Sequence, residues 1–349
     1  MGTKTLRIEL KPIEPYFFGD DRSLRYKGLK EKHHTYAASY FSKSEETPLQ
    51  STLFGTLRYL GIQEKSMDFR LTQEDISNIG KESFQIGKET DGYGKIIAIS
   101  NLFLSDADKN LYVRMPKDAA IASDKETKIY ETETNTGKKY LPYINLKDGF
   151  LDGYMCVETG KNVPTSEIFK RVTRTGIHTK NKKEGYFKKE YCYMENYGFV
   201  FFATVEASFP EIKDKFVKMG QGNSIFSVSV TEETEPTSVL LPGIAANPDL
   251  MRVVLLSDTY VKDIKTLNQM CAFAITETRD YRAFQTVYNA KNQKERYKKE
   301  STQLKLLKAG SVYWIEKDKW QEVKALLQNP QVEIAGFNKV IVWPADVSI

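Results

Sequence analysis

One segment of the sequence, residues 169–189, combines side chains that bind phosphates with side chains that stack on bases. It reads FKRVTRTGIHTKNKKEGYFKK and holds eight lysines and arginines against one glutamate, a net charge of +7 in a chain whose total is +5. Tyr186 and Phe187 lie within it, and Tyr191 and Tyr193 follow. Cations bind phosphates, and aromatic rings stack on unpaired bases. The segment therefore predicts a polyanionic partner; the alternative is a solvated surface loop.

The sequence contains three histidines, which could act as metal ligands or as general acids or bases. His33 and His34 are adjacent, and neighbouring side chains point in different directions on a strand or helix, so the pair is a poor metal chelate. His178 lies inside the basic segment, where a general acid or base for RNA cleavage would be placed. No Tyr-Lys-His group with a clear spacing surrounds it. A phosphate contact is therefore the preferred interpretation of His178.

Motifs for other kinds of catalysis are absent from the sequence. It contains no P-loop, dinucleotide fingerprint, HExxH, GxSxG or paired-carboxylate motif. The cysteines at positions 156, 192 and 271 are too widely spaced for a disulfide framework or a zinc site. Asp20 and Asp21 share a turn, where acids usually cap the turn or stay solvated. We therefore predict a chain without cofactor or bound metal that is not an enzyme.

The composition is typical of a globular protein with two domains. The chain has 349 residues, 40% of them hydrophobic, which is enough for two cores of ordinary size. No apolar run approaches the roughly 18 residues that a membrane span needs. The N-terminus enters a strand pattern at once, without the apolar region of a signal peptide. We expect a cytoplasmic protein that does not contact membranes.

The hydrophobic pattern predicts the strands and helices of an α+β fold. Thr5–Leu10 alternates polar and apolar residues, as a half-buried strand does. The stretch 47–61 predicts a helix with Ser51 or Thr52 as N-cap and Gly61 as C-cap. Further strands are predicted at 199–205, 225–230, 251–256 and 310–316, a hairpin within 95–121, and helices at 263–273 and 318–328.

The predicted strands on both sides of the basic segment place that segment at the surface. A core would not tolerate its charge, so we predict a projecting basic β-hairpin or loop around residues 160–195. A second basic run, residues 291–308, has a net charge of +5. The first domain is predicted to end near Pro210, which divides the chain into 1–210 and 211–349. A helix between two late strands fits half of a ferredoxin-like domain.

Several motifs, in order along nearly the whole chain, resemble the repeat-associated RNA-binding (RAMP) superfamily of CRISPR effector complexes. They are PIEPYFFGDDRSL, TPLQSTLFGTLRYLG, FLSDADKNLYVRMPKDAAI, RTGIHTKN, FVKMGQGNSIFSVSV, MRVVLLSDTYV, LKAGSVYWIE and AGFNKVIV. The ordered set is most similar to the third subunit of the type III-B (Cmr) complex, although the equivalent subunits of related type III complexes share its architecture. The terminal glycine-rich loop of the superfamily is reduced here to residues 335–338.

This resemblance implies two ferredoxin-like (RRM-like) domains and a structural function in antiviral defence. The subunit would bind the 5′ tag of the guide (CRISPR) RNA, cap the foot of the complex, and dock the large polymerase/cyclase-like subunit, with backbone RAMP subunits as further partners. Such RNA is held through bases stacked on aromatic rings and phosphates bound by cations. The expected RNA contacts are Lys170, Arg171, Arg174, His178, Lys180, Lys182, Lys183, Phe18, Arg22, Lys218, Gln221, Phe337 and Lys339.

Two other functions are compatible with the sequence. One is a metal-independent guide-RNA processing endonuclease of the same superfamily, with His178 as general acid or base. The other is a scaffold protein that binds no RNA. The scaffold interpretation leaves the segment of net charge +7 without a polyanionic partner.

Overall fold

The computed structural model is an α+β protein in which strands predominate, and the predicted fold class is confirmed at that level. It describes residues 2–26, 39–63, 71–88, 92–119, 129–134, 137–142, 152–180, 183–220, 223–236, 249–282, 284–289, 294–299 and 303–343. The strands are β1 (Thr3–Pro12), β2 (Phe18–Tyr26), β3 (Ser39–Glu45), β4 (Ile96–Ile99), β5 (Phe103–Ser105), β6 (Leu111–Arg114), β7 (Ile129–Thr134), β8 (Gly137–Pro142), β9 (Gly153–Cys156), β10 (Asn162–Pro164), β11 (Lys170–Lys180), β12 (Lys183–Tyr193), β13 (Gly198–Glu206), β14 (Phe216–Met219), β15 (Ser224–Glu232), β16 (Leu250–Leu255), β17 (Phe273–Ile275), β18 (Thr278–Tyr281), β19 (Phe284–Asn289), β20 (Lys294–Lys299), β21 (Leu304–Leu307), β22 (Val312–Glu316) and β23 (Val340–Trp343). The helices are α1 (Gln50–Leu60), α2 (Gln73–Ile79), α3 (Thr165–Ile168), α4 (Ile264–Met270), α5 (Trp320–Leu327) and α6 (Pro330–Glu333), with a 3-10 helix at Lys317–Lys319.

The largest sheet in the described residues has nine strands and is built around β1. Its order is β10-β9-β6-β5-β13-β1-β15-β14, and β4 also pairs with β13. β1 is antiparallel to β13 on one side and to β15 on the other. The predicted alternation in β1 is confirmed, because Leu6, Ile8 and Leu10 are buried in one core with Leu53 and Leu57 of α1.

Helix α1 corrects one sequence prediction and confirms another. The helix begins at Gln50, its N-cap position is Leu49, and no side chain caps it. Ser51 and Thr52, the predicted N-caps, lie inside the first turn because the carbonyl of Leu49 already accepts the backbone N–H of Thr52. Gly61 is the C-cap, as predicted.

A second sheet repeats the strand order found at the centre of the first. Its order is β17-β22-β16-β23, and its neighbouring strands are antiparallel. Along the chain the elements run β16, α4, β17, β22, α5, β23, with β18 to β21 between β17 and β22. In the first sheet the strands β5-β13-β1-β15 occupy the same places by order along the chain. The two sheets therefore follow one plan.

Each half of the chain carries a basic hairpin at the same point of this plan. The hairpin β11–β12 lies between β5 and β13 in the chain, and the hairpin β19–β20 lies between β17 and β22. Both insertions thus fall between the second and the third strand of the repeated order.

The domain boundary predicted near Pro210 stays a prediction. Two strands beyond it, β14 and β15, belong to the nine-stranded sheet through the pairing of β15 with β1. The residues just after Pro210 are thus hydrogen-bonded to the first sheet.

A fully buried ion pair joins the two halves of the chain. Asp118, in the loop after β6, accepts hydrogen bonds from Arg252 on β16, with 2.7 Å between Nε and Oδ2. The indole Nε1 of Trp314 on β22 also donates to Asp118, at 3.0 Å. The β7–β8 hairpin packs on the same side of the sheet, where Tyr140 shares a core with Trp314. The carboxylate of Asp118, the guanidinium of Arg252 and the indole N–H of Trp314 are thus hydrogen-bonded to one another beside a hydrophobic cluster.

The described ranges contain no helix with the length and apolarity needed to cross a bilayer. In the same ranges, no three or more His, Cys, Asp or Glu side chains come together as a metal site would require.

Candidate nucleic-acid interface

The basic segment forms the hairpin that the sequence predicts. β11 and β12 are antiparallel and in continuous register from Lys170, opposite Tyr193, to Lys180, opposite Lys183. β12 pairs on its other side with β3, in parallel, which completes a four-stranded sheet of order β11-β12-β3-β2. The hairpin is therefore attached to the body of the protein along a strand edge.

One face of this hairpin gathers cations and aromatic rings. Side chains alternate along a strand, and directly opposite residues share a face, so this face is set by the register. We call it the cationic face; its described members are Lys170, Val172, Arg174, Lys189, Tyr191 and Tyr193. Lys170, Val172 and Arg174 are exposed, and Lys189, Tyr191 and Tyr193 are half-buried. The face can offer positive charge and ring surface to a ligand in solvent.

The contacts within the cationic face hold its cations against rings. The guanidinium carbon of Arg174 lies 4.9 Å from the centre of the Tyr191 ring. The ammonium of Lys189 lies 5.2 Å from the centre of the Phe17 ring, and the Phe17 and Tyr191 rings are 5.5 Å apart. Cation–π contact fixes the position of each cation without neutralising its charge. Arg174 and Lys189 are therefore both held in position against aromatic rings.

The opposite face of the hairpin anchors it to the core. Arg171 donates to the carbonyl of Ser44 at 2.6 Å and to Oε1 of Glu46 at 2.9 Å. Arg114 of β6 donates to Oε2 of the same glutamate at 3.3 Å. Glu46 thus bridges β6 to the hairpin, and the charge of Arg171, a predicted RNA contact, is already paired with a carboxylate.

Burial also keeps the thiol beside this anchor neutral. Desolvation raises the pKa of Cys192 to about 11, although Arg171 opposes the shift. The thiol donates to the carbonyl of Glu45 across 3.5 Å between sulfur and oxygen. Cys192 therefore serves packing in this structure, since a thiol reacts as its thiolate.

Two of the predicted RNA contacts, Phe18 and Phe337, have rings that are buried in the core. Phe18 packs against Tyr16, Phe199 and Phe226 with ring centres 5.0 to 6.1 Å apart. Phe337 is stacked on Phe84, with 5.6 Å between ring centres, and also contacts Tyr281. Rings in these positions have no face left for a base, so we leave both out of the proposed contacts.

Of the remaining predicted RNA contacts, only Lys218 and Lys339 have side chains within the described part of the structure. Lys218 is exposed on β14, while Lys339 is half-buried and lies next to β23. The backbone places His178, Lys180 and Lys183 in the hairpin strands and Arg22 in β2, but their side chains lie outside the described part. Lys182 and Gln221 also lie outside the described residues.

A glycine turn connects the cationic face with Lys218. Gly220 has φ +75°, and a Cβ atom there would lie 2.5 Å from the carbonyl oxygen of Phe17. Only glycine allows both the backbone conformation and this close approach. The turn after β14 therefore lies directly against Phe17, whose ring contacts Lys189 and Tyr191.

The predicted RNA contacts did not include Phe17, Lys189 or Tyr191. Lys189 and Tyr191 lie in or beside the basic segment, and strand alternation from Arg174 across a hairpin would have placed them on its face. Phe17 could not have been found this way, because its contact with Tyr191 joins residues that are far apart in the sequence.

Glu277 joins the two halves of the chain and gives a prediction for acid stability. It accepts hydrogen bonds from Lys117 and Lys308, each at 2.7 Å. Burial alone raises its pKa, but the two lysines outweigh burial and lower the pKa of Glu277 to about 2, from 4.5. A lowered folded-state pKa stabilises the fold above about pH 4.5, and this stabilisation is lost as the pH falls toward 2. Glu277→Gln should therefore cost about 1 kcal/mol near neutral pH, the scale of a partly exposed ion pair.

Urea unfolding at a series of pH values measures this effect. The stability of Glu277→Gln should decline less steeply than that of the unmodified protein between about pH 4.5 and 2. Glu195, which is exposed, provides a matched control as Glu195→Gln. Parallel pH curves for the unmodified protein and Glu277→Gln would contradict the prediction.

Comparison with known proteins identifies solved structures with a similar fold. No protein-family model matches the sequence, and no curated protein matches it either. A chain of the type III-B Cmr-beta complex bound to cognate target RNA matches with a TM-score of 0.51 and 16% identity over 96% of each chain. A chain of the same complex with cognate target RNA and AMPPnP gives a TM-score of 0.51 and 15% identity over 96% of each chain.

A third match is more distant. The Csm3-Csm4 subcomplex of a type III-A CRISPR-Cas interference complex contains a chain with a TM-score of 0.36 and 12% identity, covering 90% of this chain and 95% of its own. The two Cmr-beta matches show a shared fold, so the resemblance to a type III-B Cmr subunit, predicted from the motifs, is confirmed for the fold.

Proposed function

We propose that this chain is a non-catalytic subunit of a type III CRISPR effector complex that binds the 5′ tag of the guide RNA. It caps the foot of the complex and docks the large polymerase/cyclase-like subunit beside backbone RAMP subunits. The observation that carries the proposal is the cationic face, where Arg174 and Lys189 are held against the rings of Tyr191 and Phe17. The fold shared with a chain of an RNA-bound Cmr-beta structure supports it.

The cationic face would bind single-stranded RNA mainly through its phosphates. Arg174 is exposed, and among the described side chains its contact is the ring of Tyr191 rather than a carboxylate. Its N–H groups are thus available to phosphate oxygens, which guanidinium groups bind in bidentate fashion. Lys170 and Lys189 flank it on the same face. Tyr193, opposite Lys170, offers ring surface for a base.

The repeated strand order supports two ferredoxin-like domains. In both sheets a strand with two antiparallel neighbours starts the unit, a helix follows, and the third strand returns beside the first. Because β15 pairs with β1, we propose that the first domain extends through Glu232 rather than ending near Pro210.

Recovery of the protein from its native host tests the proposed function directly. We expect the affinity-tagged chain to co-purify with partner subunits and with short RNAs that share one repeat-derived 5′ tag. A protein recovered without RNA would favour the scaffold alternative. Cleavage of guide-RNA precursor by the purified chain in the presence of EDTA would favour the endonuclease alternative. Either of these two results would overturn the proposal.

Charge removal on the cationic face tests the RNA contact itself. We expect Arg174→Gln combined with Lys189→Gln to weaken binding of single-stranded RNA about tenfold, because two phosphate contacts are lost. The slope of log affinity against log salt concentration should fall by about 1.4, at about 0.7 for each phosphate. Fluorescence anisotropy at several salt concentrations measures both quantities.

Lys262→Gln combined with Lys265→Gln is the matched control, because it removes two exposed charges near α4, away from the hairpin. This control should leave affinity and salt slope nearly unchanged. An equal effect of the two double variants would mean that net charge, and not the cationic face, governs binding.

A further inference from the structure

Exposed apolar side chains from two distant parts of the sequence meet on the outer face of the sheet, at β14, β15 and the end of β1. Phe216 is 58% exposed, Ile13 is 54% exposed and Ile225 is 38% exposed. Single exposed apolar side chains are ordinary on protein surfaces, whereas a group of them marks a contact surface. Their convergence therefore needs an explanation.

The strand register shows that these side chains are neighbours. Ile225 lies opposite Lys218 on β14, and its carbonyl accepts the backbone N–H of Ile13 at 3.0 Å. Phe216 lies opposite Ser227, two positions along the same face from Ile225. Ser227 in turn lies opposite Lys11 of β1. We call this surface the β14–β15 patch; it consists of Lys11, Ile13, Phe216, Lys218, Ile225 and Ser227.

The patch presents positive charge around its apolar centre. Lys11 and Lys218 are exposed, and they lie in adjacent cross-strand rows of the same face. The nearby carboxylate of Glu14 accepts the backbone N–H of Ile225 at 3.1 Å, so one of its oxygens is already occupied. An anion approaching Phe216 therefore meets two lysines and the one carboxylate of Glu14.

A close backbone approach connects the strand that carries Lys218 with the residues behind the cationic face. Lys218 is two residues before Gly220, and the turn at Gly220 lies against the backbone of Phe17. The ring of Phe17 contacts Lys189 and Tyr191. The strand that carries Phe216 and Lys218 is thus packed, through Phe17, against residues of the cationic face.

We propose that the β14–β15 patch is a second contact for single-stranded RNA, in which a base stacks on Phe216 and its flanking phosphates bind Lys11 and Lys218. This inference rests on the proposed function, because it extends the path of the same RNA. Exposed aromatic side chains on a sheet, with cations beside them, form the usual platform for unpaired bases. Lysine is depleted at protein–protein interfaces, so charge favours RNA over a protein partner.

Substitutions at Phe216 separate stacking from simple hydrophobic contact. Loss of a stacking ring weakens single-strand binding by roughly 5- to 150-fold per base. We expect Phe216→Leu to weaken binding of a single-stranded RNA about tenfold, since leucine keeps the apolar surface but has no ring face. Phe216→Tyr should stay within about twofold of the unmodified protein, because the ring is kept. Fluorescence anisotropy measures the affinities.

A photochemical measurement gives the contact an independent readout. Thiouridine-substituted RNA, irradiated on the unmodified chain, should crosslink to the peptide that contains Phe216, and mass spectrometry identifies this peptide. Because Phe216 is exposed, its variants should unfold at the same temperature as the unmodified protein, which circular dichroism checks.

The outcomes distinguish this inference from the function on which it rests. Affinity that falls for Arg174→Gln with Lys189→Gln but not for Phe216→Leu would overturn the second contact and leave the proposed function standing. An unmodified chain that binds no RNA would overturn both. Unchanged RNA affinity together with loss of a partner subunit from Phe216→Leu would show that the patch docks a protein instead.

Discussion

Replacing Asp118 by alanine should lower the free energy of unfolding by about 3–5 kcal/mol, the usual cost of removing one partner from a buried ion pair. The carboxylate is completely buried and accepts hydrogen bonds from Arg252 and Trp314. Alanine at this position leaves a buried guanidinium without a counter-charge and an indole N–H without an acceptor. Urea denaturation followed by circular dichroism measures the change.

Lys319→Ala is the control for this prediction. Lys319 pairs with Glu316 at 3.0 Å, and both side chains are at least one-third exposed. Its loss should cost less than about 1 kcal/mol. A double substitution, Asp118→Leu with Arg252→Met, should recover part of the lost stability, because it removes both buried charges although the Trp314 indole N–H stays without an acceptor. An Asp118→Ala variant as stable as Lys319→Ala would contradict the burial of this pair.

Replacing Phe337 by alanine should destabilise the fold by about 3–5 kcal/mol and leave RNA affinity unchanged. The Phe337 ring is completely buried between Phe84 and Tyr281, so its removal opens a cavity. The substitution also removes a contact between the turn before β23 and the first core, to which Phe84 belongs. Thermal unfolding measures the stability, and RNA binding is measured well below the unfolding transition.

Phe216→Ala provides the matched comparison, because it removes the same side chain from an exposed position. It should change stability by less than about 0.5 kcal/mol, as surface substitutions usually do. The two phenylalanines are thus expected to have opposite effects on folding and on RNA binding. A stable Phe337→Ala variant with weakened RNA binding would restore the stacking role that the sequence predicted for Phe337.

The sequence predicts the main strands of the fold well, because their patterns are local. Thr5–Leu10 and residues 199–205, 225–230 and 251–256 correspond to β1, β13, β15 and β16. Strands show themselves by alternation or by continuous apolar runs, both of which follow from burial of a pleated surface. The basic hairpin is predicted for the opposite reason, since its charge excludes it from a core.

What a side chain meets in three dimensions could not be predicted from the sequence. Phe17 and Phe18 are adjacent aromatics in one motif, yet Phe17 contacts the hairpin while Phe18 enters the core. Arg171 and Arg174 are both cations of β11, but only Arg171 meets Glu46. These differences depend on which face of a strand is covered and on partners distant in sequence.

The position of β1 in the nine-stranded sheet determines the order in which the protein can fold. Thr3 pairs with Glu206 and Leu6 pairs with Glu232, so both neighbours of β1 are synthesised long after it. At roughly 5–20 residues per second, the ribosome needs about 10–40 s to reach the first of these partners. Contacts of such high sequence separation also form slowly in the complete chain. β1 therefore completes its sheet late, and its two hydrogen-bonding edges lack their native partners until β13 and β15 have been synthesised.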